Sequence, residues 1–166
     1  MYLICACFPR IKGTTMMNAN SIAVLVVDMQ DRLVGAMPEA DALTRRVRLL
    51  VRGAGALDLP VLISEQYPKG LGHTVPMIAN ALPEATPCFE KTAFSCFGCT
   101  ELAVELDRFR PQTLVLAGVE THVCVQQTAL DALKRGVEVV LMADAVQSRH
   151  FTDQATALSL LRSRGV

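Results

Sequence analysis

The chain has 166 residues, 51% of them hydrophobic, with 16 basic and 16 acidic side chains and a formal net charge of zero. That length suits one domain burying roughly 70% of its unfolded surface, and the apolar content suits an α/β protein with a buried parallel sheet. The balanced charge argues against nucleic acid or an anionic membrane as the main partner, and no apolar run approaches the roughly 20 residues that span a bilayer.

The first residues, Met1-Tyr2-Leu3-Ile4-Cys5-Ala6-Cys7-Phe8, are apolar but short, with no basic residue before them. They do not read as a secretory signal. Residues 1–19 are expected to be a leader, with Met16 or Met17 as an alternative start, and residues 20–166 to be the domain. The six cysteines, Cys5, Cys7, Cys88, Cys96, Cys99 and Cys124, lack the secretory signal and small loop-rich scaffold of a disulfide framework. Reduced thiols in a cytoplasmic protein are the expectation.

Ile22-Ala23-Val24-Leu25-Val26-Val27 is a continuous β-branched apolar run, the pattern of a central buried strand. It ends at Asp28-Met29-Gln30. A helix is predicted over 41–57, because Leu43, Val47, Leu50, Ala54 and Leu57 recur on one face. Arg45, Arg46, Arg48 and Arg52 form its solvated side. Residues 60–64 read as a second strand. The stretch 65–87, with Pro68, Gly70, Gly72, Pro76 and Pro83, reads mostly as loop, the kind of segment that often lines a binding site. A short strand is expected near Cys88-Phe89. Thr100 is expected to cap a helix reaching Phe109, with Leu102, Leu106 and Phe109 inward. A strand over 113–117 leads through Gly118 into a helix over 121–135, stopped by Gly136. A strand over 137–142 and a helix capped by Thr152 and reaching Arg164 complete the series.

Alternating strands and helices imply right-handed crossovers and a parallel sheet, with ligands gathered at the C-terminal strand ends. Asp28, Glu65-Gln66-Tyr67, Lys91 and Cys124 all fall there. Cys124 stands in the first turn of a helix, where free N–H groups and the helix dipole favour negative charge. An ordinary thiol has a pKa near 8.5; a helix N-terminus and a cation can lower it to about 6. Taken singly, Cys124 also reads as a small buried residue, Asp28 as a turn cap, and Lys91 as a surface charge with an apolar stem. Cys96-x-x-Cys99 is half of a zinc or redox pattern with no second half.

Taken together, the segments Val26-Val27-Asp28-Met29-Gln30, Lys91-Thr92-Ala93-Phe94-Ser95 and Gly118-Val119-Glu120-Thr121-His122-Val123-Cys124-Val125 resemble the isochorismatase-like cysteine hydrolases. The likeness continues through Thr128–Gly136 and Asp144–Arg149. The segment from Ser64 to Pro76 looks most like the isochorismatase domain-containing subgroup. The resemblance implies a three-layer α/β/α fold on a Rossmann-like parallel sheet. About five strands are expected here instead of the family's six, since members continue past Val166 into a further strand and helix. An uncovered fifth strand is a liability for solubility.

The resemblance also implies roles. Cys124 is the expected nucleophile, Asp28 the base and later acid, and Lys91 the cation that holds both. The N–H groups of Glu120 and Cys124 are the expected oxyanion hole, beside a cis peptide between Val119 and Glu120. Gln30, Gln66, Tyr67, Phe94 and Thr121 are candidate pocket residues, and His122 is assigned to packing or positioning. Nicotinamidases of this family carry an Asp-x-His plus His metal site after the second strand. Gln66, Tyr67 and a single His73 stand in that region here, so neither metal nor cofactor is expected. The implied activity is hydrolysis of a C–N bond in a small amide or carbamoyl compound through an acyl-enzyme, by a homo-oligomer. Two other readings remain open: a non-enzymatic or redox-sensing relative with a vestigial Cys124, and a thiol oxidoreductase using Cys96 and Cys99.

Overall fold

The computed structural model describes residues 21–166; the leader expected over 1–19 lies outside the described residues. Five parallel strands form one sheet in the order β3-β2-β1-β4-β5: β1 Ile22–Val27, β2 Val61–Gln66, β3 Cys88–Lys91, β4 Thr113–Val119 and β5 Glu138–Gln147. Helices cover both faces. Helix α2 (Ala40–Ala56) and the single turns α1 (Asp31–Val34) and α4 (Pro76–Ala79) pack on one side, together with the turn α3 (Pro68–Leu71) at its edge. Helices α5 (Thr100–Phe109), α6 (Gln126–Lys134) and α7 (Phe151–Ser163) pack on the other. No helix among the described residues is long and apolar enough to cross a membrane.

The central strand explains the apolar run. Ala23 to Val27 are all buried, and alternate side chains enter the two separate cores. Leu43, Val47, Val51 and Ala54 bury the predicted face of α2, and its arginines stay exposed. Leu57, expected inward, is 68% exposed, because α2 ends one residue before it. Two expected caps also differ. Helices α5 and α7 begin at Thr100 and Phe151, so Cys99 and His150 occupy the N-cap positions, without a side-chain cap bond. The loop expected over 65–87 begins only after β2 has run on to Gln66, and it holds the turns α3 and α4. Strand β3 extends to Lys91, and β5 extends to Gln147 through a register shift opposite Leu116 and Gly118. Longer strands move Glu65, Gln66 and Lys91 from loops onto the rigid sheet.

The chain lays β2 and β3 on one side of β1 and then crosses to place β4 on the other. Strands β1 and β4 therefore flank the topological switch point, where a crevice opens beyond their C-terminal ends. Gly118 makes their close approach feasible. Its φ is +116°, and a Cβ there would lie 2.0 Å from the Val27 carbonyl oxygen. Only glycine fits both demands.

Candidate active site

Asp28 is the first residue after β1 and has φ 52°, a left-handed conformation rare outside glycine. Its N–H donates to the Ser64 carbonyl (3.1 Å), and its own carbonyl accepts from the Gln30 N–H (2.7 Å). These bonds turn the chain sharply and leave the carboxylate fully buried beneath the crevice. Lys91, at the end of β3, reaches across β2 to it: Nζ lies 2.7 Å from Asp28 Oδ2, and both side chains are closed to solvent. Nζ also donates to Gln66 Oε1 (2.7 Å) and to the Ala93 and Phe94 carbonyls (3.3 Å each). Burial pushes the Lys91 ammonium toward losing its proton, but the Asp28 carboxylate, its hydrogen bond and the Cys96 and Cys124 sulfurs together outweigh this and hold its pKa above the ordinary value.

Cys124 arrives from the other side of the switch point. The peptide bond between Val119 and Glu120 is cis, and a π-helical turn over Thr121–Val125 leads into α6. Such wide turns are frequent at functional sites. Cys124 is 6% exposed, and its thiol interacts with both the Asp28 carboxylate and the Lys91 ammonium. Burial pushes the thiol up to about 12; Asp28 adds to that, and Lys91 pulls the other way. The low thiol pKa expected from helix position and a nearby cation is not what this environment produces. Desolvation and the facing carboxylate exceed what Lys91 supplies, so the resting group is a thiol.

Cys124 opens onto a cavity of about 430 Å³ walled by Leu33, Ala36, Leu71, Phe94 and Val123, with Arg32, Gln66, Glu120 and Arg149 as its polar members. Gln66 and Phe94, both expected in the pocket, are there. The other three candidates are not on its wall. Gln30 is fully buried: Nε2 donates to the Gln66 and Gly72 carbonyls (3.0 and 2.6 Å), and Oε1 accepts from the Gln66 N–H (2.7 Å). It acts as a clamp between the end of β2 and the loop that follows. Tyr67 is 56% exposed and lines a neighbouring hollow with Pro68, Lys69 and Glu90. Thr121 is buried, and its hydroxyl has no hydrogen-bond partner among the described residues. The His122 ring turns away, its Nδ1 2.9 Å from Ser148 Oγ and its Nε2 3.9 Å from Asp153.

The sequence reading missed three residues. Ser64 donates from Oγ to Asp28 Oδ1 (2.7 Å) and is 1% exposed. A polar residue in the buried run of β2, in register with Val27, was the available signal. Arg149 binds Glu120 through Nε (3.1 and 3.2 Å) and Nη2 (2.9 Å), and its backbone N–H donates to Oε2 (3.0 Å). Burial works against the Glu120 carboxylate, but these bonds hold its pKa below the usual value. Neither Arg149 nor Arg32 carried a local signal, because each reaches the cavity from a separate loop or turn.

Other thiols and histidines are placed elsewhere. The Cys96 thiol lies 3.5 Å from Ser64 Oγ, and the Cys99 thiol points to the Glu90 carbonyl (3.6 Å). Both are free and buried, and they diverge instead of pairing. His73 Nδ1 meets Glu65 Oε2 at 2.9 Å. Among the described residues, no group of three or more His, Cys, Asp or Glu is set to hold a metal ion.

Comparison with known proteins agrees with this architecture. The isochorismatase domain pattern matches residues 22–166. Isochorismatase domain-containing protein 1 of Salmo salar is 42% identical over 139 residues, which are 84% of this chain and 48% of that protein. The chain thus spans about half the length of that relative. A solved structure titled MAR1 ribonuclease, from Caenorhabditis elegans, superposes with a TM-score of 0.85 at 37% identity, covering 90% of this chain and 77% of the other. The YCAC gene product of Escherichia coli, titled an octameric hydrolase of unknown specificity, gives 0.86 at 25% identity over 93% and 78%. With a parallel five-stranded sheet, a crevice at its switch point and this match along nearly every described residue, the chain belongs to the isochorismatase family of hydrolase-fold proteins.

Proposed function

We propose that the protein is a cysteine hydrolase that cleaves a C–N bond of a small amide or carbamoyl compound, with Cys124 as nucleophile, Asp28 as proton carrier and Lys91 as the cation that holds them. The observation that carries this reading is the convergence of three separate segments: the buried Asp28–Lys91 pair, brought from the ends of β1 and β3, interacts with the thiol of Cys124, which in turn opens onto the cavity. A raised thiol pKa suits a nucleophile that loses its proton to Asp28 only as it attacks.

In this scheme Cys124 Sγ bonds to the carbonyl carbon while its proton passes to Asp28. The developing oxyanion meets the N–H groups of Glu120 and Cys124, donors worth about 3–4 kcal/mol each where such contacts have been measured. The C–N bond breaks, and Asp28 returns the proton to the leaving amine. Water, deprotonated by Asp28, then attacks the thioester and releases the acid and the thiol. Lys91 offsets the carboxylate charge throughout and needs no metal partner to do so. The ribonuclease name of the nematode neighbour belongs to that protein; a cavity of about 430 Å³ fits a small molecule. We place the protein in a reducing cytoplasm, since its four described cysteines are free. A homo-oligomer is part of the same reading, supported by the bacterial neighbour, described as octameric, and by the exposed edge of β5, where Val140 is 38% exposed.

The test is intact-mass spectrometry of the purified chain against a panel of small primary amides and carbamoyl compounds. A transient acyl adduct on Cys124, absent in Cys124→Ala and lost in Asp28→Asn, is expected together with turnover. No adduct and no turnover from any member, with reversible oxidation of Cys124 instead, would favour the redox-sensing reading.

A further inference from the structure

The side chains of the cavity wall differ in how far their hydrogen-bonding groups are already engaged. Gln66 is engaged at both ends, its Oε1 accepting from Lys91 (2.7 Å) and its Nε2 donating to the Thr92 carbonyl (2.9 Å). Both Glu120 oxygens are used by Arg149. Arg32, on the turn α1, has no hydrogen bond or ion pair among the described residues, and Nη1 of Arg149 is the free end of a guanidinium otherwise bound to Glu120. The wall therefore keeps a wholly unpaired cationic donor in Arg32, whereas each side-chain acceptor on it besides the thiol already accepts at least one hydrogen bond. It also carries two guanidinium groups against one carboxylate, while the Lys91–Asp28 pair below is balanced. The same wall carries the apolar side chains Leu33, Ala36, Leu71 and Phe94.

We propose that the site selects small substrates carrying a carboxylate, with Arg32 as the anion-recognising residue at the cavity mouth, the apolar wall holding a short hydrocarbon body, and the scissile carbonyl at Cys124. A guanidinium suits this task because its planar fork matches two carboxylate oxygens. The inference rests on reading Cys124 as the nucleophile that faces substrate.

Two alkylating probes that differ in charge separate the two readings. In each, Cys124 Sγ displaces iodide from the CH2 carbon and its proton passes to solvent; iodoacetate carries a carboxylate where iodoacetamide carries a neutral amide. The readout is the ratio of the two rates at Cys124, by peptide mass spectrometry, divided by the same ratio for N-acetylcysteine amide. A normalised ratio about three- to fivefold above unity is expected, the size of one partly exposed charge pair. It should fall toward unity in Arg32→Ala and be largely restored in Arg32→Lys. Arg52→Ala, on α2 beside a different cavity, controls for net charge and should keep the wild-type ratio. A wild-type ratio at or below unity, a ratio indifferent to Arg32→Ala, or no labelling of Cys124 by iodoacetate overturns the proposal. The acyl-adduct experiment is read separately: turnover of neutral amides through Cys124 with a ratio of unity would leave the hydrolase standing and remove only its carboxylate preference.

Discussion

Lys91 Nζ and Asp28 Oδ2 lie 2.7 Å apart with both side chains wholly closed to solvent, 63 residues apart in the chain. Neither charge is tolerable there alone. Lys91→Met leaves a buried carboxylate without its partner and should destabilise the fold by about 3–5 kcal/mol, read from urea unfolding. Adding Asp28→Asn should recover part of that loss, since the remaining charge is removed. A double variant no more stable than Lys91→Met would show that the cost lies in lost packing and not in the orphaned charge.

The same pair acts on Cys124 with opposite signs. The thiol, held up to about 12, should react slowly with iodoacetamide at pH 7 and faster as pH rises into the alkaline range. Asp28→Asn removes the raising charge and should accelerate labelling at pH 8; Lys91→Met removes the lowering charge and should slow it. Both variants should lose hydrolytic turnover, so reactivity and catalysis part company in Asp28→Asn. Slower labelling in Asp28→Asn would contradict the assigned direction.

Alkaline stability follows from the buried thiols. Cys96 is pushed up to about 11 and Cys124 to about 12, in each case chiefly by burial, against an unfolded value of 9.0. A folded pKa above the unfolded one contributes stability that is fully present below pH 9 and fades as pH rises toward the folded values, because only the unfolded chain has released its protons. Urea midpoints should therefore fall between pH 8 and pH 10.5. In Cys96→Ala the fall should be smaller, whatever the variant's stability at pH 8. An equal fall in both would remove Cys96 from this account.

At Gly118, alanine would set a Cβ against the Val27 carbonyl and force a residue with a side chain into φ +116°. The expected cost is at least about 3 kcal/mol, enough to deplete soluble protein on expression. Gly53→Ala, on exposed α2 with nothing near the new Cβ, is the control and should be neutral or stabilising. A soluble Gly118→Ala chain with an unchanged urea midpoint would show that β1 and β4 can separate.

The sequence by itself determined the strand–helix alternation and the parallel sheet, because buried strands must be apolar on both faces and α2 apolar on one. It also exposed Asp28, Lys91 and Cys124, since each interrupts an apolar or small-residue stretch at a strand end and together they carry a family pattern. Tertiary structure alone decided what surrounds them. Gln30, read as a pocket residue, spends its amide on the backbone of two other segments, and Ser64 and Arg149 enter the site by contacts 36 and 29 residues distant. The direction of the Cys124 pKa was equally hidden. Position at a helix start is a local property, whereas burial beneath the cavity and a carboxylate arriving from another strand depend on the assembled sheet. Periodicity records which face of an element is buried; it carries no record of which distant charge that face will meet.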